Sequence, residues 1–439
     1  MGRFADLVEI LRLPNGPRTF LRREYDRLTP LLFRLGRHYR RLILRRPRLC
    51  VIVGSLGKTT TRQAVAAALD CPDRHFSYSN YGASLAENLF RVRPWDRHAV
   101  LEVGIDGPDR MAPNARLLAP DLVVVTAIAS DHNRSFPTLA DTRAEKVKMV
   151  SGLPPTAVAI LNGDDPNVRW MATQTRARVI TIGAGADNDV RAVDIRETGE
   201  GLAFDVEIAG RRLQIESRLH GRHMIYPLLA GLVAAELEGI AIDGARARLA
   251  SVVPVAGRME TISLPGDVRV VHDAQKASIE SIYAALDAFA VLPARRRIVV
   301  MGKIEEPPGK SRLVYRALGT RLAAVATRLI CIGTRDDHHA LRGAAMRAGM
   351  QRDDIVFCGS RIDEVPTLLS AMLAPGDVVL VKGASAQRLE RIVLALEGRR
   401  ITCRAQFCNV KSATCGACPV LAAPPEIFAN RYIRRALTF

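Results

Sequence analysis

The chain has 439 residues, 48% of them hydrophobic and 25% charged, with a formal net charge of +18. This composition is typical of a globular protein with two or three domains and sizeable buried cores. No run of about 18 uncharged apolar residues and no secretory signal pattern occurs, so we expect a cytoplasmic protein without a membrane-spanning helix.

The positive charge is concentrated at the two ends of the sequence. Residues 1–50 hold thirteen arginines and four acidic residues, and residues 401–439 hold five basic residues and one acid. A helix is predicted from Leu21 to Arg48, where arginine mixes with leucine, phenylalanine and tyrosine. Two interpretations stay open: this helix packs on its own domain with a solvated outer face, or it contacts an anionic membrane surface as a peripheral protein at the inner face of the membrane. A nucleic-acid partner is not expected, because only 5% of the residues are aromatic and no base-reading module is visible.

A glycine-bounded turn follows the first apolar segment of the body. The segment Leu49–Val53 predicts a buried strand, and the turn from Gly54 to Gly57 leads into an alanine-rich helix. Glycines allow successive N–H groups to point at an anion, and the helix N-terminus and Lys58 add positive charge. The Thr59 hydroxyl is of the kind that ligates Mg²⁺ beside bound phosphates. The sequence therefore predicts a nucleotide-phosphate site, although two residues separate the glycines instead of the four in the commonest phosphate loop.

The residues that follow alternate between short apolar segments and helical ones, which predicts a parallel sheet flanked by helices. Further strands are expected at Ala99–Val103, Leu122–Ile128, Ala157–Leu161 and Arg178–Ile182. Residues 189–216 alternate in polarity and contain turn signals, so antiparallel strands are expected there. A helix is expected next, at Tyr226–Glu238.

A second alternating series begins after Gly257. Its expected strands are Val268–His272, Arg297–Met301, Leu329–Ile332, Ile355–Phe357 and Val378–Val381, and its expected helices are Ser278–Phe289 and Leu313–Ala326. We therefore expect an α/β protein, with a P-loop central domain on a mostly parallel sheet and a smaller Rossmann-like C-terminal domain. We expect four parts: a basic helical extension over residues 1–48, the central ATP-binding domain over 49–256, the C-terminal domain over 257–400 and a cysteine-containing tail over 401–439.

Polar residues follow three strands of the first series. Glu102 ends one strand, Asp131-His132 follows the next, and Asn162-Gly163-Asp164-Asp165 follows the third. Ligands collect at the carboxyl ends of strands in an open parallel sheet, and carboxylates and imidazoles are suitable Mg²⁺ ligands or partners of metal-bound water. These residues are therefore candidates for a metal site beside the phosphate loop.

Eight short motifs occur in order over about residues 49–395. They are Gly54-Ser55-Leu56-Gly57-Lys58-Thr59-Thr60, Leu101-Glu102-Val103-Gly104, Asp131-His132, Arg143-Ala144-Glu145-Lys146, Asn162-Gly163-Asp164-Asp165, Gly221-Arg222-His223, Gly257-Arg258-Met259-Glu260 and Pro375-Gly376-Asp377-Val378-Val379-Leu380-Val381-Lys382-Gly383. Together they resemble the Mur ligases, the ATP-dependent amide-bond synthetases of peptidoglycan assembly, and their relatives folylpolyglutamate synthase and cyanophycin synthetase. They are most similar to the branch that adds D-alanyl-D-alanine.

The resemblance implies a role for each site residue. The phosphates of ATP would lie against the residues of the glycine-bounded turn and the start of the helix, which are Gly54, Ser55, Gly57, Lys58, Thr59 and Thr60. Mg²⁺ would be held by Thr59, Glu102 and His132, and Lys146 matches a lysine that is carbamylated in many of these enzymes and then acts as a metal ligand. Spacing alone would make Lys146 a surface helix residue. The catalytic set would be Lys58, Glu102, His132 and Lys146, and the nucleotide would also be contacted by His223, Arg258 and Asp273, the last at the ribose hydroxyls.

The implied reaction has two steps. A substrate carboxylate attacks the γ-phosphoryl group of ATP, which gives an acyl phosphate and ADP, and an amine then displaces phosphate to form an amide. The protein would act through positioning and charge neutralisation. The implied partners are a small-molecule carboxylate and a small-molecule amine.

Three features depart from the family pattern. Only 48 residues precede the first strand, so the family's N-terminal domain, and UDP recognition of the same kind, are not expected here. Two family asparagine motifs differ, since His223-Met224 replaces His-Asn and Gln275-Lys276-Ala277-Ser278-Ile279 replaces Tyr-Asn-Ala-Asn-Pro. Gly302-Lys303-Ile304 replaces Gly-Asp-Met, which adds positive charge. This indicates either a more acidic substrate or a lapsed second-substrate site.

The tail contains a cluster of four cysteines, Cys403, Cys408, Cys415 and Cys418, followed by Pro419. Their spacing, C-x4-C-x6-C-x2-C, predicts a Zn²⁺ or iron–sulfur site, and thiolates suit either metal. The alternative is a set of unrelated free thiols. The other cysteines, Cys50, Cys71, Cys331 and Cys358, are expected to be small buried hydrophobes.

Two functional hypotheses follow. The first is an ADP-forming acid–amino-acid ligase that acts through an acyl phosphate on a cell-wall-related or other amino-acid or peptide substrate. The second is a catalytically reduced nucleotide-binding subunit that docks a partner through a metal-binding tail. The changed asparagine motifs and the cysteine cluster favour the second, and the intact phosphate and metal residues favour the first.

Overall fold

The structure is a computed structural model that describes residues 27–71, 79–208, 210–408, 414–418, 420–424 and 426. It divides into two units, of which one ends at Val253 and the other begins at Pro254. The predicted extension and tail lie partly outside the described residues, as does the start of the helix predicted from Leu21. None of the helices in the described ranges combines the length and apolar character that a membrane crossing requires.

The first unit is built on one large sheet. Its strands are β1 (Arg48–Val53), β2 (His98–Glu102), β3 (Leu122–Val125), β4 (Val158–Asn162), β5 (Arg178–Gly183), β6 (Val190–Thr198), β7 (Gly201–Ile208) and β8 (Arg211–Ser217). The eight strands lie in the order β2-β1-β3-β4-β5-β6-β7-β8. Neighbours are parallel from β2 to β6 and antiparallel from β6 to β8, which confirms the predicted mostly parallel sheet.

Helices cover this sheet. They are α1 (Thr29–His38), α2 (Lys58–Ala68), α3 (Ala83–Phe90), α4 (Met111–Leu118), α5 (Leu139–Lys146), α6 (Lys148–Ser151), α7 (Pro166–Trp170), α8 (Ile225–Leu237) and α9 (Ile242–Ala250). Helices α2 and α8 pack closely, because Gly231 lies against the Ala64 carbonyl and an added Cβ would come within 3.0 Å of its oxygen. The central strands are continuously apolar because helices bury both of their faces.

The basic helix predicted near the N-terminus ends earlier in the chain than expected. Helix α1 continues as one π-helical turn, Tyr39–Ile43, and the chain then leaves the helix before Pro47, a residue that disfavours helix in the position preceding it. The inner face of α1 buries Phe33 and Gly36, and the Tyr39 hydroxyl donates to the Val92 carbonyl at 2.7 Å. The described part of the helix therefore packs on the first unit.

The second unit contains a smaller sheet. Its strands are β9 (Glu260–Leu264), β10 (Val268–Asp273), β11 (Arg296–Met301), β12 (Arg328–Ile332), β13 (Ile355–Gly359) and β14 (Asp377–Lys382), and its helices are α10 (Ile279–Ala290), α11 (Ser311–Ala323), α12 (Arg335–Arg347), α13 (Val365–Met372) and α14 (Glu390–Leu396). The order is β13-β12-β11-β14-β10-β9. All neighbours are parallel except β9 and β10. The predicted second α/β series is thereby confirmed.

Several elements of the described chain were not predicted, among them strand β9 and helix α12. Strand β9 lies at the sheet edge and pairs with β10, and a short edge strand gives a weak sequence signal. Helix α12 begins with a Thr334 side chain that accepts from the Asp337 N–H, which is a start signal present in the sequence. The strand predicted over Leu122–Ile128 ends at Val125, and beyond it the Ala127 carbonyl accepts from the Ser55 N–H of the glycine-bounded turn.

A buried carboxylate fixes the start of β14. Asp377 is fully buried and pairs with Arg296, and it also accepts from the Ala374 N–H at 2.8 Å. Burial opposes ionisation of this carboxyl, but the hydrogen bonds from Arg296 and Ala374 outweigh it and lower its pKa. Because the pKa of Asp377 is lower in the folded protein than in the unfolded chain, its ionised carboxylate stabilises the fold at pH values above the unfolded pKa of about 3.9. This contribution is lost as the pH falls below that value toward the folded-state pKa.

We expect Asp377→Asn to lower the free energy of unfolding by about 2 kcal/mol at neutral pH, because it leaves Arg296 without a charged partner. The difference from wild type should shrink as the pH falls below about 4, because Asp377 is protonated first in the unfolded chain and, at a still lower pH, in the folded protein. Urea unfolding followed by circular dichroism between pH 3 and pH 7 measures both effects. Asp363→Asn, at an exposed position of the same unit, is the control; an equal loss in it, or a pH-independent loss at position 377, would contradict the assignment.

Candidate nucleotide and metal site

The loop between β1 and α2 has the backbone shape of a phosphate cradle. Gly54 and Gly57 have positive φ values of 149° and 76°, a region that residues with a Cβ adopt rarely. Gly57 caps the N-terminus of α2, so the free N–H groups of the first helical turn face the loop. A Cβ on Gly54 would collide with the Thr126 hydroxyl. The loop therefore needs glycine both for its conformation and for its packing.

The chain after β3 holds this loop in place. The Ser55 N–H donates to the Ala127 carbonyl at 2.7 Å, and the Ser55 hydroxyl donates to the Ala129 carbonyl at 3.1 Å. The Thr126 hydroxyl donates to the Leu56 carbonyl at 2.5 Å. Thr126 was not predicted as a site residue, although its hydroxyl directly follows the apolar run Leu122–Val125 in the sequence.

Oxygen ligands suitable for Mg²⁺ meet beside the loop. The Thr59 hydroxyl donates to Glu102 Oε2 at 2.9 Å, and the Asn80 amide donates to Glu102 Oε1 at 2.7 Å. Lys58 lies at the first helical position, and its ammonium donates to the Ser55 carbonyl at 3.2 Å. A carboxylate and a hydroxyl held together in this way are the donors that Mg²⁺ prefers. Thr59 and Glu102, two of the residues predicted for the metal, therefore come together beside Lys58, with Asn80 as an orienting residue that was not predicted.

Lys146 lies inside the site and not on the surface that spacing alone suggested. Its side chain is 2% exposed, and its Nζ donates to the Gly54 carbonyl at 2.7 Å. A carbamylated lysine keeps one N–H on this nitrogen, so the same hydrogen bond is compatible with either form. The end of α5 thus connects directly to the first residue of the phosphate loop.

Asp131 and His132 lie in the loop after β3. Asp131 is buried, whereas the His132 side chain is 40% exposed and its Nε2 lies 3.7 Å from Asp131 Oδ1. His132 has a positive φ of 55°, which is uncommon for a residue other than glycine. His132 follows Ala129 by three residues, and the Ala129 carbonyl accepts from the Ser55 hydroxyl, so the segment that carries His132 is bonded to the phosphate loop.

The acidic motif after β4 braces loops and does not present free carboxylates. Asp165 accepts from the Ile128 N–H at 2.7 Å and caps α7. Asp164 accepts from two backbone N–H groups and from Asn188 and Tyr226. Burial raises the pKa of Asp164, but these four hydrogen bonds outweigh it and lower the pKa. The hydrogen bonds of both aspartates indicate a structural role and give no support to the predicted metal role of this motif.

The remaining predicted nucleotide residues are divided between the two units. His223 belongs to the first unit and lies in a short 3-10 turn, Arg222–Met224, directly before α8. In the second unit, Arg258 precedes β9 and Asp273 ends β10. Asp273 accepts from the Met259 N–H at 3.2 Å and pairs with the buried Lys382 at 2.7 Å. Lys382 belongs to the last of the eight motifs, Pro375 to Gly383, but its pairing with Asp273 was not predicted.

The lysines that depart from the family pattern have distinct surroundings. Lys276 pairs with Glu305 at 3.1 Å. Burial opposes ionisation of Glu305, but Lys276 and the N–H groups of Ser385 and Ala277 outweigh it and lower its pKa. Lys303 lies 4.8 Å from the ring centroid of Phe407, which belongs to the tail. The added charge of Lys276 is therefore balanced locally, and that of Lys303 faces an aromatic ring.

The predicted metal site of the tail gains no support from the structure. The part of the chain that the structure describes includes Cys403, Cys408, Cys415 and Cys418, and it contains no group of three or more histidine, cysteine or acidic side chains that could hold a metal ion. Burial and the nearby Glu390 raise the pKa of the Cys415 thiol. Glu390 also accepts from the Cys415 N–H. This contact holds Cys415 against the first residue of helix α14.

Two stretches of the chain match sequence models of one family. Residues 52–235 match the Mur ligase middle domain, and residues 257–385 match the "Mur ligase, glutamate ligase domain". The chain belongs to the Mur ligase family. Mur ligases use ATP and Mg²⁺, and this member is an acid–amino-acid ligase.

Curated relatives among the Mur ligases match most of the chain. The UDP-N-acetylmuramoyl-tripeptide–D-alanyl-D-alanine ligase of Escherichia coli K12 is 27% identical over 358 residues, which are 80% of this chain and 77% of that protein. The enzyme of the same name from Bacillus subtilis 168 is 25% identical over 350 residues, which are 78% of this chain and 74% of that protein.

Solved Mur ligase structures share the fold. MurF from Acinetobacter baumannii has a TM-score of 0.73 at 19% identity and covers 84% of this chain and 81% of its own. MurF ligase from Thermotoga maritima, solved in complex with ADP, has a TM-score of 0.72 at 20% identity and covers 84% and 83%. These likenesses confirm the predicted fold class.

We expect Gly54→Ala to reduce ATP-dependent phosphate release by about 100-fold or more, because the new Cβ displaces Thr126 and reshapes the backbone that would face phosphate. Gly239→Ala is the matched control: Gly239 also has a positive φ, of 66°, but nothing lies within 4 Å of an added Cβ. Release of phosphate by both purified variants is measured alongside thermal unfolding. Equal activities in the two variants would show that the Gly54 contact is dispensable.

Proposed function

We propose that this Mur ligase joins the terminal carboxylate of a muramoyl peptide precursor to the amine of a D-amino-acid dipeptide, with conversion of ATP to ADP and phosphate. The observation that carries the proposal is the complete loop arrangement of Lys58, Thr59 and Glu102 at the carboxyl ends of β1 and β2. The substrates are those that the names of the curated relatives print. Because the reaction consumes ATP, we expect it to take place in the cytoplasm.

The residues of the first unit would divide the work at the phosphates. Lys58 and the N–H groups of α2 would hold the transferred phosphoryl group, and Thr59 and Glu102 would hold Mg²⁺. The metal neutralises charge on the phosphate oxygens and so favours attack by the carboxylate. His132, at the exposed end of its loop, and Lys146, beside the Gly54 carbonyl, would complete the metal surroundings as the resemblance implies. The side chains fit this task because they supply oxygen donors and positive charge without any covalent step.

The second unit would contact the nucleoside and the amine substrate. Asp273 would accept from the ribose hydroxyls, and its pairing with Lys382 would keep it oriented. Arg258 would reach the phosphates, and His223 of the first unit would approach the base. The alternative of a catalytically reduced docking subunit gains no support, because the phosphate loop is intact and the tail forms no metal site among the described residues.

Lys58→Ala is the direct test of this function. We expect about a 100-fold or greater loss of phosphate release from ATP in the presence of UDP-N-acetylmuramoyl-tripeptide and D-alanyl-D-alanine, because a charge that stabilises the transferred phosphoryl group is removed. Lys310→Ala, at an exposed position of the second unit, is the control and should stay within about twofold of wild type.

The outcomes separate the chemistry from the substrate. A Lys58→Ala protein as active as wild type would contradict the assignment of the loop. A wild-type protein that is inert with these two substrates but releases phosphate with another carboxylate and amine would keep the ligase chemistry and reject the proposed substrate.

A carbamate on Lys146 has its own test. Lys146→Ala should lose activity by about 10- to 100-fold, and added formate or acetate should restore part of it if a carboxylate-like ligand has been removed. Lys148→Ala, two residues along the chain, should keep its activity and show no response to formate. Loss without rescue would instead assign Lys146 the role of an ammonium that ties α5 to the Gly54 carbonyl.

A further inference from the structure

The segment around α1 combines strong positive charge with an exposed apolar face. Residues 27–48 hold eight arginines and no acidic residue. Leu28, Leu31 and Leu35 have the spacing i, i+3 and i+7, which places them on one face of a helix, and they are 49%, 54% and 51% exposed. Leu42 and Ile43 at its end are 57% and 49% exposed. Large apolar side chains grouped in this way mark an interaction surface.

The opposite face of α1 fixes the orientation of this stripe. Phe33 and Gly36 are buried against the domain. The Arg40 guanidinium donates to the Leu118 carbonyl at 3.0 Å and to Asp121 at 2.8 Å. Because the helix is held on its inner side by a buried ring and an ion pair, the leucines of the outer face point to solvent.

A basic cavity lies beside the helix. It has a volume of about 500 Å³, and the charged residues of its lining are Arg37, Arg41, Arg48, Arg116, Lys148 and the single acid Asp121. Arg48 and Lys148 pair with acidic side chains. Within the described ranges, no ion pair is formed by the guanidinium groups of Arg37, Arg41 and Arg116, all of which are exposed. The cavity therefore offers three cationic groups to an anion.

The cavity and the phosphate loop lie at opposite ends of the same sheet. Arg48 begins β1, and Asp121 directly precedes β3, so the cavity is at the amino ends of these strands. The phosphate loop follows the carboxyl end of β1. The cavity is therefore not part of the nucleotide site.

We propose that the outer face of α1 and the adjacent cavity form a docking surface for an anionic lipid membrane. The leucine stripe would enter the boundary between headgroups and acyl chains, and the arginines beside it would bind lipid phosphates. This goes beyond the ligase function, which requires no membrane. It places the amino ends of the first sheet toward the lipid and leaves the phosphate loop at the far end of the strands.

The charge and the apolar stripe of this surface together favour an anionic membrane over other partners. The preceding residues 1–26 hold five arginines and four acids, so they bring no complementary charge to the cavity. A second copy in a symmetric contact would set arginines against arginines. A nucleic acid would satisfy the arginines but would leave the leucine stripe exposed to water. An anionic bilayer satisfies both features at once.

Co-sedimentation of the full chain with vesicles tests the proposal. We expect binding to phosphatidylglycerol vesicles, little binding to phosphatidylcholine vesicles, and weaker binding when the salt concentration is raised. The double variants Leu31→Ser/Leu35→Ser and Arg41→Ser/Arg116→Ser should each lose at least about tenfold in affinity for the anionic vesicles. Affinity for ATP should stay unchanged in both, which shows that they fold.

Matched controls lie on the second unit. Leu313→Ser removes a leucine that is 55% exposed, and Arg347→Ser removes an exposed arginine; neither should change vesicle binding. The proposal is overturned if the full chain does not sediment with anionic vesicles, if the controls lose as much affinity as the double variants, or if the arginine variant loses binding to an RNA duplex while no vesicle binding exists. Because ATP affinity is measured separately, a protein that does not bind vesicles can still be a ligase. A protein that binds vesicles but has no ligase activity would likewise leave the docking surface in place.

Discussion

The nucleotide site depends on the contact between the phosphate loop and the chain that follows β3. A loop with two glycines at positive φ has little intrinsic preference for one conformation. The Thr126 hydroxyl and two carbonyls of the neighbouring segment fix it from one side, and Lys146 holds the Gly54 carbonyl from another. Rigid N–H groups can stabilise developing negative charge without reorganising at the moment of reaction. Parallel pairing of β1 with β3 is what brings these groups together.

Much of this site could be predicted because its signals are local. Gly54, Gly57, Lys58 and Thr59 lie within six residues, and the strand that precedes them is continuously apolar. Glu102 was found because carboxyl ends of parallel strands converge at one edge of a sheet. The fold class followed from the alternation of strands and helices over a long stretch, where small errors in the ends of elements do not change the topology.

The residues that prediction missed have partners distant in sequence. Thr126 bonds to a carbonyl 70 residues away, and Asn80 bonds to Glu102 across 22 residues, so neither pairing has a pattern in a single sequence. Burial of Lys146 reversed the expectation from helical spacing, because α5 ends against the phosphate loop and not in solvent. In the tail, Glu390 accepts from the Cys415 N–H across 25 residues, and this contact likewise has no pattern in the sequence.

The substitutions that set this chain apart from the family pattern alter charge less than their sequence indicates. Lys276 replaces a neutral residue, but Glu305 pairs with it, and Lys382 donates to the Lys276 carbonyl at 2.5 Å while it pairs with Asp273. These contacts form two ion pairs at the carboxyl ends of β10 and β14, joined by the hydrogen bond from Lys382 to the Lys276 carbonyl. Lys303 differs, because its near neighbour is the ring of Phe407. A cation beside an aromatic face keeps its charge available to an anion on its other side, so among the departures Lys303 is the one that changes what this edge of the second sheet can bind.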